Sequence, residues 1–276
     1  MNHTGLNPKK IAVAIVPARF ASNRLPGKPL LEIAGIPMIC WVVERALSAE
    51  SVAKVIVATD DIRVFEAVKS AGYDAAMTSP DHTSGTDRLA EVAGSLDAEI
   101  IVNVQGDEPL IAPETIDRAV RALLDDELCP MSSTWEPIEN SHDVLSPDVV
   151  KVVIDEDEHA LYFSRSPIPY PREIVRQHGS LEAAFANEPG LKARFKKHTG
   201  LYVYRREFLL QFASWPPSAL EQLESLEQLR ALERGVKIKV VESCSASIGV
   251  DTAEDLERVR QLVGTQTSPP SKRASS

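Results

Sequence analysis

The chain has 276 residues, with 30 Lys and Arg against 40 Asp and Glu, which gives a formal net charge of −10 at pH 7. This length is enough for one large α/β domain or two small ones. A nucleic-acid-binding protein needs a basic face, so the acidic balance argues against that class, although local cations could still bind a nucleotide. The start of the chain lacks the apolar core of a signal peptide, and no segment has membrane-spanning length. We therefore expect a soluble, cytoplasmic protein.

The three cysteines, Cys40, Cys129 and Cys244, are scattered and show neither a CxxC pair nor the spacing of metal ligands. Each is therefore interpreted as a small core residue in preference to a ligand or a nucleophile.

The first half of the chain alternates predicted strands with predicted helices. Strands are predicted at 11–16, 54–58, 74–77 and 99–104, and helices at 36–47, 62–70, 87–96 and 113–124. This alternation predicts right-handed βαβ units and a largely parallel central sheet.

The second half has a different pattern. It predicts a hairpin at 149–155 and 160–164, an irregular mobile flap at 166–188, a strand at 200–204, a helix at 220–233, a strand at 237–242 and a helix at 251–262. We predict an α/β fold with a smaller hairpin-rich sub-domain. The predicted organisation is a flexible N-terminus at 1–10, a single domain at 11–262 and a disordered tail at 263–276.

A cationic loop follows the first predicted strand. Residues 17–30 read PARFASNRLPGKPL and carry Arg19, Arg24 and Lys28, while Gly27 permits close approach of the backbone and the prolines stiffen the loop. Open α/β sheets bind ligands at the carboxyl ends of their strands, so this loop suits a polyphosphate. The alternative is a solvated basic loop.

Two aspartates follow other apolar segments. Asp107 comes directly after the strand predicted at 99–104, and a carboxylate beside phosphate-binding cations calls for a divalent metal between them. Asp251, after Gly249 and Val250, is a candidate for the second carboxylate ligand of Mg²⁺. The alternatives are a turn residue for Asp107 and a helix N-cap for Asp251.

The segment at 83–88, TSGTDR, places small hydroxyl residues and Gly85 at a predicted helix start, where backbone N–H groups suit an anion or a base edge. A capping motif explains it equally well. The chain has no GxGxxG, GxxxxGK[ST] or GxSxG motif, so a dinucleotide fingerprint, a P-loop and a hydrolase elbow are not present.

Seven spaced motifs resemble the 3-deoxy-manno-octulosonate (KDO) cytidylyltransferase family, over residues 11–262. They are PARFASNRLPGKPL, HTSGTDRLAE, NVQGDEPLI, YFSRSPIP, KHTGLYVYR, LESLEQLR and GVDTAEDLERVR. The resemblance implies a sheet of the nucleotide-diphospho-sugar transferase type. It also implies transfer of CMP from CTP to the anomeric hydroxyl of KDO, with release of pyrophosphate, for lipopolysaccharide synthesis.

The resemblance also implies roles for individual residues. Arg19, Ser22, Arg24 and Lys28 would hold the CTP phosphates, Ser84, Gly85 and Gln105 would lie against the nucleoside or sugar, and Asp107 and Asp251 would ligate Mg²⁺. The expected sugar pocket is Arg165, His198, Tyr202, Glu227 and Gln228. Arg165 suits a sugar carboxylate because its donors are bidentate. Taken singly, His198 is more typical of a structural histidine than of a ligand contact. Glu227 alone would be a charge on a solvated helix face, and Tyr202 alone would be a packing residue of the core or surface.

The sequence leaves three other functions as alternatives. One is a cytidylyltransferase for another acid sugar, such as sialate or an amino-substituted KDO; a change from hydroxyl to amine alters one pocket contact. A glycosyltransferase would show Asp-x-Asp where this chain has Gly106-Asp107-Glu108, and a nucleotide sensor would not need both aspartates. The family also implies a homodimer formed by the sugar-binding part at about 130–217. Ile154, Leu161 and Phe163 are its candidate interface, unless they are buried within the chain.

Overall fold

The computed structural model describes residues 10–21, 25–82, 84–246 and 248–266. The chain separates into two compact units: unit 1 comprises Met1–Arg121, Leu201–Ser214 and Cys244–Ser276, and unit 2 comprises Ala122–Gly200 and Trp215–Ser243. No helix within the described ranges is long and apolar enough to cross a membrane. The predicted flexible start, except for residue 10, and residues 267–276 of the predicted tail lie outside the described residues. The predicted division into one domain with two termini stays a prediction.

The strands are β1 (Ala12–Pro17), β2 (Glu32–Ile33), β3 (Ile36–Pro37), β4 (Val52–Thr59), β5 (Asp74–Met77), β6 (Ile100–Asn103), β7 (Met131–Pro137), β8 (Lys151–Ile154), β9 (Ala160–Ser164), β10 (Lys196–Arg205) and β11 (Ile238–Glu242). The helices are α1 (Met38–Leu47), α2 (Ile62–Ser70), α3 (Gly85–Gly94), α4 (Pro113–Leu124), α5 (Ser141–Leu145), α6 (Arg172–His178), α7 (Leu181–Asn187), α8 (Arg206–Ser214), α9 (Ala219–Glu224), α10 (Gln228–Glu233) and α11 (Ala253–Gln266). Strand β10 and helix α4 each cross the division between the units.

Unit 1 contains the predicted parallel sheet. Strand β1 pairs in parallel with β4 on one side and β6 on the other, and β4 pairs in parallel with β5. The second part of β10 pairs antiparallel with β6, so that Tyr202 lies opposite Asn103. β1 and β6 are almost wholly buried, as expected for β-branched strands covered on both faces. The predicted α/β class with a mostly parallel sheet is confirmed.

The last helix packs against the start of unit 1. Val250, Leu256 and Val259 share a buried cluster with Met38 and Trp41 of α1. The indole Nε1 of Trp41 donates a hydrogen bond to the Ile33 carbonyl oxygen at 2.9 Å. This packing fixes the segment that carries Asp251, which lies immediately before α11.

Unit 2 contains the predicted hairpin, in which β8 and β9 pair antiparallel. The sequence analysis did not predict β7, which pairs in parallel with β11 and lies beside β10. It also missed α5 and α8. The interior of β7 is a run of small hydroxyl residues, Ser132 to Thr134, and all three are buried. Such a run lacks the apolar pattern by which buried strands are recognised.

Two predicted elements were wrong. Residues 166–188 contain the helices α6 and α7 in place of an irregular flap, because Ala184 and Phe185 pack into a buried cluster with Ile138 and Phe195. The helix predicted at 220–233 is two short helices, since Ser225 adopts a positive φ of 53° between them.

Smaller differences concern boundaries. Helix α1 begins at Met38 because residues 36–37 form a short strand, α3 begins at Gly85 two residues earlier than predicted, and α11 continues to Gln266. By contrast, α2 and α4 have the predicted bounds.

Candidate active site

A pocket of about 250 Å³ in unit 1 brings three of the predicted nucleotide-binding residues, Arg19, Lys28 and Gln105, together with the two predicted metal ligands. Its walls are the end of β1 and the loop that follows it, the loop after β6, and Asp251 before α11. The lining residues are Pro17, Ala18, Arg19, Ala21, Lys28, Pro29, Gln105, Gly106, Asp107 and Asp251. Because the carboxyl ends of parallel strands meet at one edge of a sheet, segments far apart in sequence converge there.

Lys28 lies between the two aspartates. Its Nζ atom is 2.7 Å from Oδ2 of Asp107 and 3.0 Å from Oδ1 of Asp251. The lysine side chain is 13% exposed, whereas the Asp251 side chain is 47% exposed and opens toward solvent. One oxygen of each carboxylate therefore converges on the same lysine nitrogen.

Backbone contacts fix these three side chains. Gly27 adopts a φ of 69° before the 3₁₀ turn Lys28–Leu30, and this left-handed conformation suits glycine. The Val250 amide donates to the Asp107 carbonyl oxygen at 2.9 Å, which joins the two aspartate-bearing loops. Thr252 Oγ1 accepts a hydrogen bond from the Asp255 amide, so Thr252 caps α11. The carboxylate of Asp251 is not the cap and reaches Lys28.

Gly106 is a residue whose importance the sequence analysis missed. A Cβ atom at this position would lie 2.8 Å from the backbone oxygen of Pro17, closer than such contacts allow. Only glycine lets the end of β6 approach the end of β1 this closely. The signal in the sequence was a glycine immediately before Asp107, in the loop that follows a buried strand.

The predicted nucleotide-binding residues other than Lys28 differ in where they lie. Arg19 lines the pocket and its Nη2 donates to the His82 carbonyl oxygen at 3.1 Å. Ser84 forms the N-terminal capping box of α3, and a Cβ on Gly85 would lie 3.9 Å from Cγ of Pro17 in the pocket wall. Gln105 also lines the pocket. Ser22 and Arg24 lie outside the described residues.

The carboxylates fit a divalent cation of the Mg²⁺ type. Asp107 and Asp251 each direct one oxygen at the same nitrogen atom, so both oxygens lie within reach of one ion. Mg²⁺ takes one or two carboxylates and completes its octahedron with water and phosphate oxygens. The pair therefore offers the donor set that such an ion prefers, and Lys28 occupies the position between them.

The predicted sugar residues divide between the two units. Tyr202 lies in unit 1 on β10, stacked against Tyr204 with ring centroids 5.9 Å apart. His198 lies in unit 2, where its Nε2 is 2.8 Å from Oγ of Ser133 and its ring meets the edge of Phe163. Burial lowers the pKa of His198 to about 3, so the imidazole is neutral. This is the environment of a core histidine, and its role toward a sugar stays a prediction.

Arg165, Glu227 and Gln228 all lie in unit 2. The Nε of Arg165 donates to the Glu224 carbonyl oxygen at 2.7 Å, and its Nη1 donates to Pro147 O at 2.8 Å. Arg165 therefore lies against the end of α9. In the chain, that end is followed a few residues later by the half-buried Glu227 and the buried Gln228. Within residues 224–228, Arg165 contacts Glu224 and Ser225, and the assignment of Arg165, Glu227 and Gln228 to a sugar pocket stays a prediction.

Comparison with known proteins agrees with this geometry. A family model described as cytidylyltransferase matches residues 13–238. The 3-deoxy-manno-octulosonate cytidylyltransferase of Geobacter sulfurreducens is 54% identical over 246 residues, covering 89% of this chain and 96% of the relative. The enzyme of the same name from Pelobacter propionicus is 55% identical over 248 residues, covering 90% and 95%.

Solved structures give the same result. The structure of CMP:2-keto-3-deoxy-manno-octonic acid synthetase complexed with CTP has a TM-score of 0.82 and 46% identity, covering 92% of this chain and 98% of that chain. The 4-diphosphocytidyl-2C-methyl-D-erythritol synthase of Anaerococcus prevotii shares the fold alone, with a TM-score of 0.57 and 13% identity over 92% and 96% of the two chains. This chain belongs to the cytidylyltransferase family and, within it, to the 3-deoxy-manno-octulosonate cytidylyltransferases.

Proposed function

We propose that this chain transfers CMP from CTP to the anomeric hydroxyl of KDO and releases pyrophosphate. The observation that carries the proposal is the convergence of Lys28, Asp107 and Asp251 in one pocket. Two enzymes named 3-deoxy-manno-octulosonate cytidylyltransferase are more than 50% identical to this chain over about nine tenths of its length. The product serves lipopolysaccharide synthesis.

The chemistry follows from the charges in the pocket. The hydroxyl oxygen of the sugar attacks the α-phosphorus, the bond from that phosphorus to the β-phosphate oxygen breaks, and the hydroxyl proton passes to solvent. Arg19 and Lys28 would bind the triphosphate and stabilise the negative charge that develops on the leaving pyrophosphate. Transfers of this kind depend on positioning and electrostatics, so no covalent intermediate with the enzyme is required.

We also propose Mg²⁺ as the cofactor, held by Asp107 and Asp251. When bound, the ion supplies positive charge against the phosphates. Because Lys28 contacts the same carboxylate oxygens, the lysine and the ion compete for them in the absence of nucleotide. With CTP bound, the phosphates give the lysine a second set of anionic partners.

The remaining proposals concern the molecule as a whole. We propose a cytoplasmic enzyme, since CTP is a cytoplasmic substrate, and a homodimer. Leu161 on β9 is 60% exposed and offers apolar surface to a second copy, whereas Phe163 on the same strand is buried within unit 2 and offers none. A molar mass from light scattering that matches one chain at micromolar concentration would contradict the dimer.

The test of the function is pyrophosphate release from CTP and Mg²⁺ with a panel of acid sugars: KDO, an amino-substituted KDO and sialate. Asp107→Asn is the test variant, and Asp97→Asn, at an exposed position in the same unit, is the matched control. We expect release that requires KDO, falls by at least 100-fold in the test variant and is unchanged in the control.

Each outcome has a distinct meaning. Release with another acid sugar, and not with KDO, would keep the reaction and correct the substrate. No release with any sugar, from protein that binds CTP, would overturn the enzyme and leave a nucleotide-binding module. Equal rates in the two variants would remove Asp107 from the catalytic site.

A further inference from the structure

Unit 2 contains a second group of metal-binding side chain types, which the proposed reaction does not use. Asp126 and Cys129 lie in the loop between α4 and β7, and His159 lies immediately before β9. One potential ligand atom from each of these residues lies within 4.8 Å of the other two. The group therefore brings an oxygen, a sulfur and a nitrogen donor together from two separate segments.

The histidine of this group is oriented as a ligand. His159 is only 8% exposed, and its Nε2 lies 2.9 Å from Oδ2 of Asp126. Its Nδ1 is buried, makes no hydrogen bond to any group in the described part of the chain, and lies 3.5 Å from Oδ2 of Asp155. A carboxylate behind the far nitrogen of a histidine is the usual support of a metal-bound imidazole.

The pKa of the cysteine is raised and that of the aspartate is lowered. Burial, and then hydrogen bonding to Asp126, raises the pKa of the fully buried Cys129 thiol to about 12. The hydrogen bond from His159 is the main cause that lowers the pKa of Asp126 to about 2. Without an ion, the site therefore consists of a carboxylate and a thiol, and an ion that bound there would displace the thiol proton to solvent.

We propose that Asp126, Cys129 and His159 bind Zn²⁺ in unit 2. Sulfur and nitrogen donors beside one carboxylate suit Zn²⁺, whereas Mg²⁺ takes oxygen ligands. In a tetrahedral zinc site the ligand atoms are about 3.3–3.7 Å apart. The most widely separated atoms of the group, which lie within 4.8 Å of each other, therefore have to move about 1 Å closer, whereas the 2.9 Å contact between Nε2 of His159 and Oδ2 of Asp126 has to lengthen. Three protein ligands leave the fourth position to water. The site is independent of the proposed function.

Bound Zn²⁺ would join the loop after α4 to the β8–β9 hairpin. The positive charge of Lys239 opposes an ion, but its Nζ is held by the Asp157 carbonyl oxygen and lies 3.6 Å from Glu158. The pairing of His159 with Lys239 also links the hairpin to β11. We therefore expect the bound ion to stabilise unit 2 by linking these segments.

The experiment uses the full chain, stripped with a chelator and kept in excess Mg²⁺, and titrates it with Co²⁺ as a spectroscopic substitute for Zn²⁺. We expect a near-ultraviolet thiolate-to-cobalt absorption that saturates at one equivalent and is displaced by Zn²⁺. The band should be lost in Cys129→Ser and His159→Gln. It should be kept in Cys244→Ser, at the exposed cysteine, and in Asp107→Asn.

Two further measurements separate binding from folding. Zn²⁺ should raise the melting temperature of the unchanged chain by about 3–6 °C and leave that of Cys129→Ser unchanged. Asp155→Asn should lower the affinity for Zn²⁺ 10- to 100-fold while keeping the cobalt band, as expected for a positioning residue. No band in the unchanged chain, or a band that survives Cys129→Ser, would overturn the proposal and leave the group as a hydrogen-bonded network.

Discussion

Replacing Lys28 should change two measurable quantities in opposite directions: the turnover rate should fall and the affinity for a divalent cation should rise. The lysine is the shared cationic partner of Asp107 and Asp251, so Lys28→Met leaves two carboxylates facing each other. We expect the turnover rate to fall by about 10²–10³-fold, because a charge that stabilises the leaving pyrophosphate is lost. Without nucleotide, Mn²⁺ should bind about 3- to 10-fold tighter at low salt, because the competing ammonium group is gone.

The matched control for this prediction is Lys54→Met. Lys54 also contacts an aspartate, Asp74, at 3.1 Å, but both side chains are about half exposed and lie outside the pocket. Turnover and Mn²⁺ binding, followed by electron paramagnetic resonance, should be unchanged in this variant. Weaker Mn²⁺ binding in Lys28→Met would contradict the competition between the lysine and the ion.

Gly106 is expected to be intolerant of even one added methyl group. The Cβ of Gly106→Ala would meet the Pro17 backbone oxygen, which cannot move aside as a flexible side chain could. We expect a loss of about 1–3 kcal/mol in the free energy of unfolding. Gly94→Ala is the control, since a Cβ there meets nothing within 4 Å at the end of α3. Urea denaturation of both variants measures the difference, and equal stabilities would contradict the close approach of β6 and β1.

His198 predicts a specific dependence of stability on pH. Its pKa is about 3 in the folded chain, against an ordinary value of about 6.5 when unfolded. Below pH 6.5 the unfolded chain therefore binds a proton that the folded chain does not, and stability falls as the pH falls toward 3. Between pH 6.5 and 4.5 this residue alone should cost about 2–3 kcal/mol.

The measurement is the free energy of unfolding across that pH range for the unchanged chain and His198→Gln. The variant should lose less stability on acidification, although it is expected to be less stable at neutral pH because the Phe163 contact is disturbed. Identical pH dependences of the two proteins would contradict this, because they would mean that His198 takes up its proton over the same pH range in the folded and the unfolded chain.

At the scale of elements, the break between α9 and α10 depends on one residue. Ser225 has a φ of 53°, a conformation that costs a non-glycine residue free energy. Ser225→Gly should therefore raise the free energy of unfolding by about 0.5–1 kcal/mol. Ser218→Ala, which removes the N-cap of α9, should lower it by about 1 kcal/mol. A destabilised Ser225→Gly would mean that the serine side chain makes contacts worth more than its backbone strain.

This break also shows which elements could be predicted from the sequence. Asp61 caps α2 and Pro113 opens α4, so local signals fixed both helices. The chain from Leu220 to Glu233 has an apolar pattern that continues across Ser225, because nothing local reveals that the Glu224 carboxylate accepts hydrogen bonds from Ser164 and Arg165. Tertiary contacts of this kind override local preference.

The sequence also predicted part of the candidate site, where a general rule of sheet geometry applies, but not the contacts that depend on tertiary packing. Lys28, Asp107 and Asp251 each follow a strand end or a glycine, and the general rule for parallel sheets brings such positions together. The surroundings of His198 could not be derived, because its partner Ser133 belongs to a strand that local patterns do not reveal. Cys129 was correctly expected in the core, but its proximity to Asp126 and His159 depends on how the hairpin packs. Cys244 was expected in the core and is exposed.

At the scale of the whole molecule, the two units should respond to different ligands. Hydrogen exchange of the full chain should show protection by CTP and Mg²⁺ in unit 1, at the pocket segments 17–21, 105–107 and 250–252. KDO should protect amides of unit 2 near Arg165 and at 226–229, where the predicted sugar residues lie. KDO protection confined to unit 1 would contradict the assignment of Arg165, Glu227 and Gln228.

The hydrogen bond from the Val250 amide to the Asp107 carbonyl oxygen has a consequence for biosynthesis. Asp107 is translated well before the second aspartate, which comes from the last tenth of the chain. At ordinary translation rates the interval is on the order of ten seconds. A nascent or prematurely terminated chain that ends before this segment would therefore lack one of the two carboxylates that we propose as ligands of the cation.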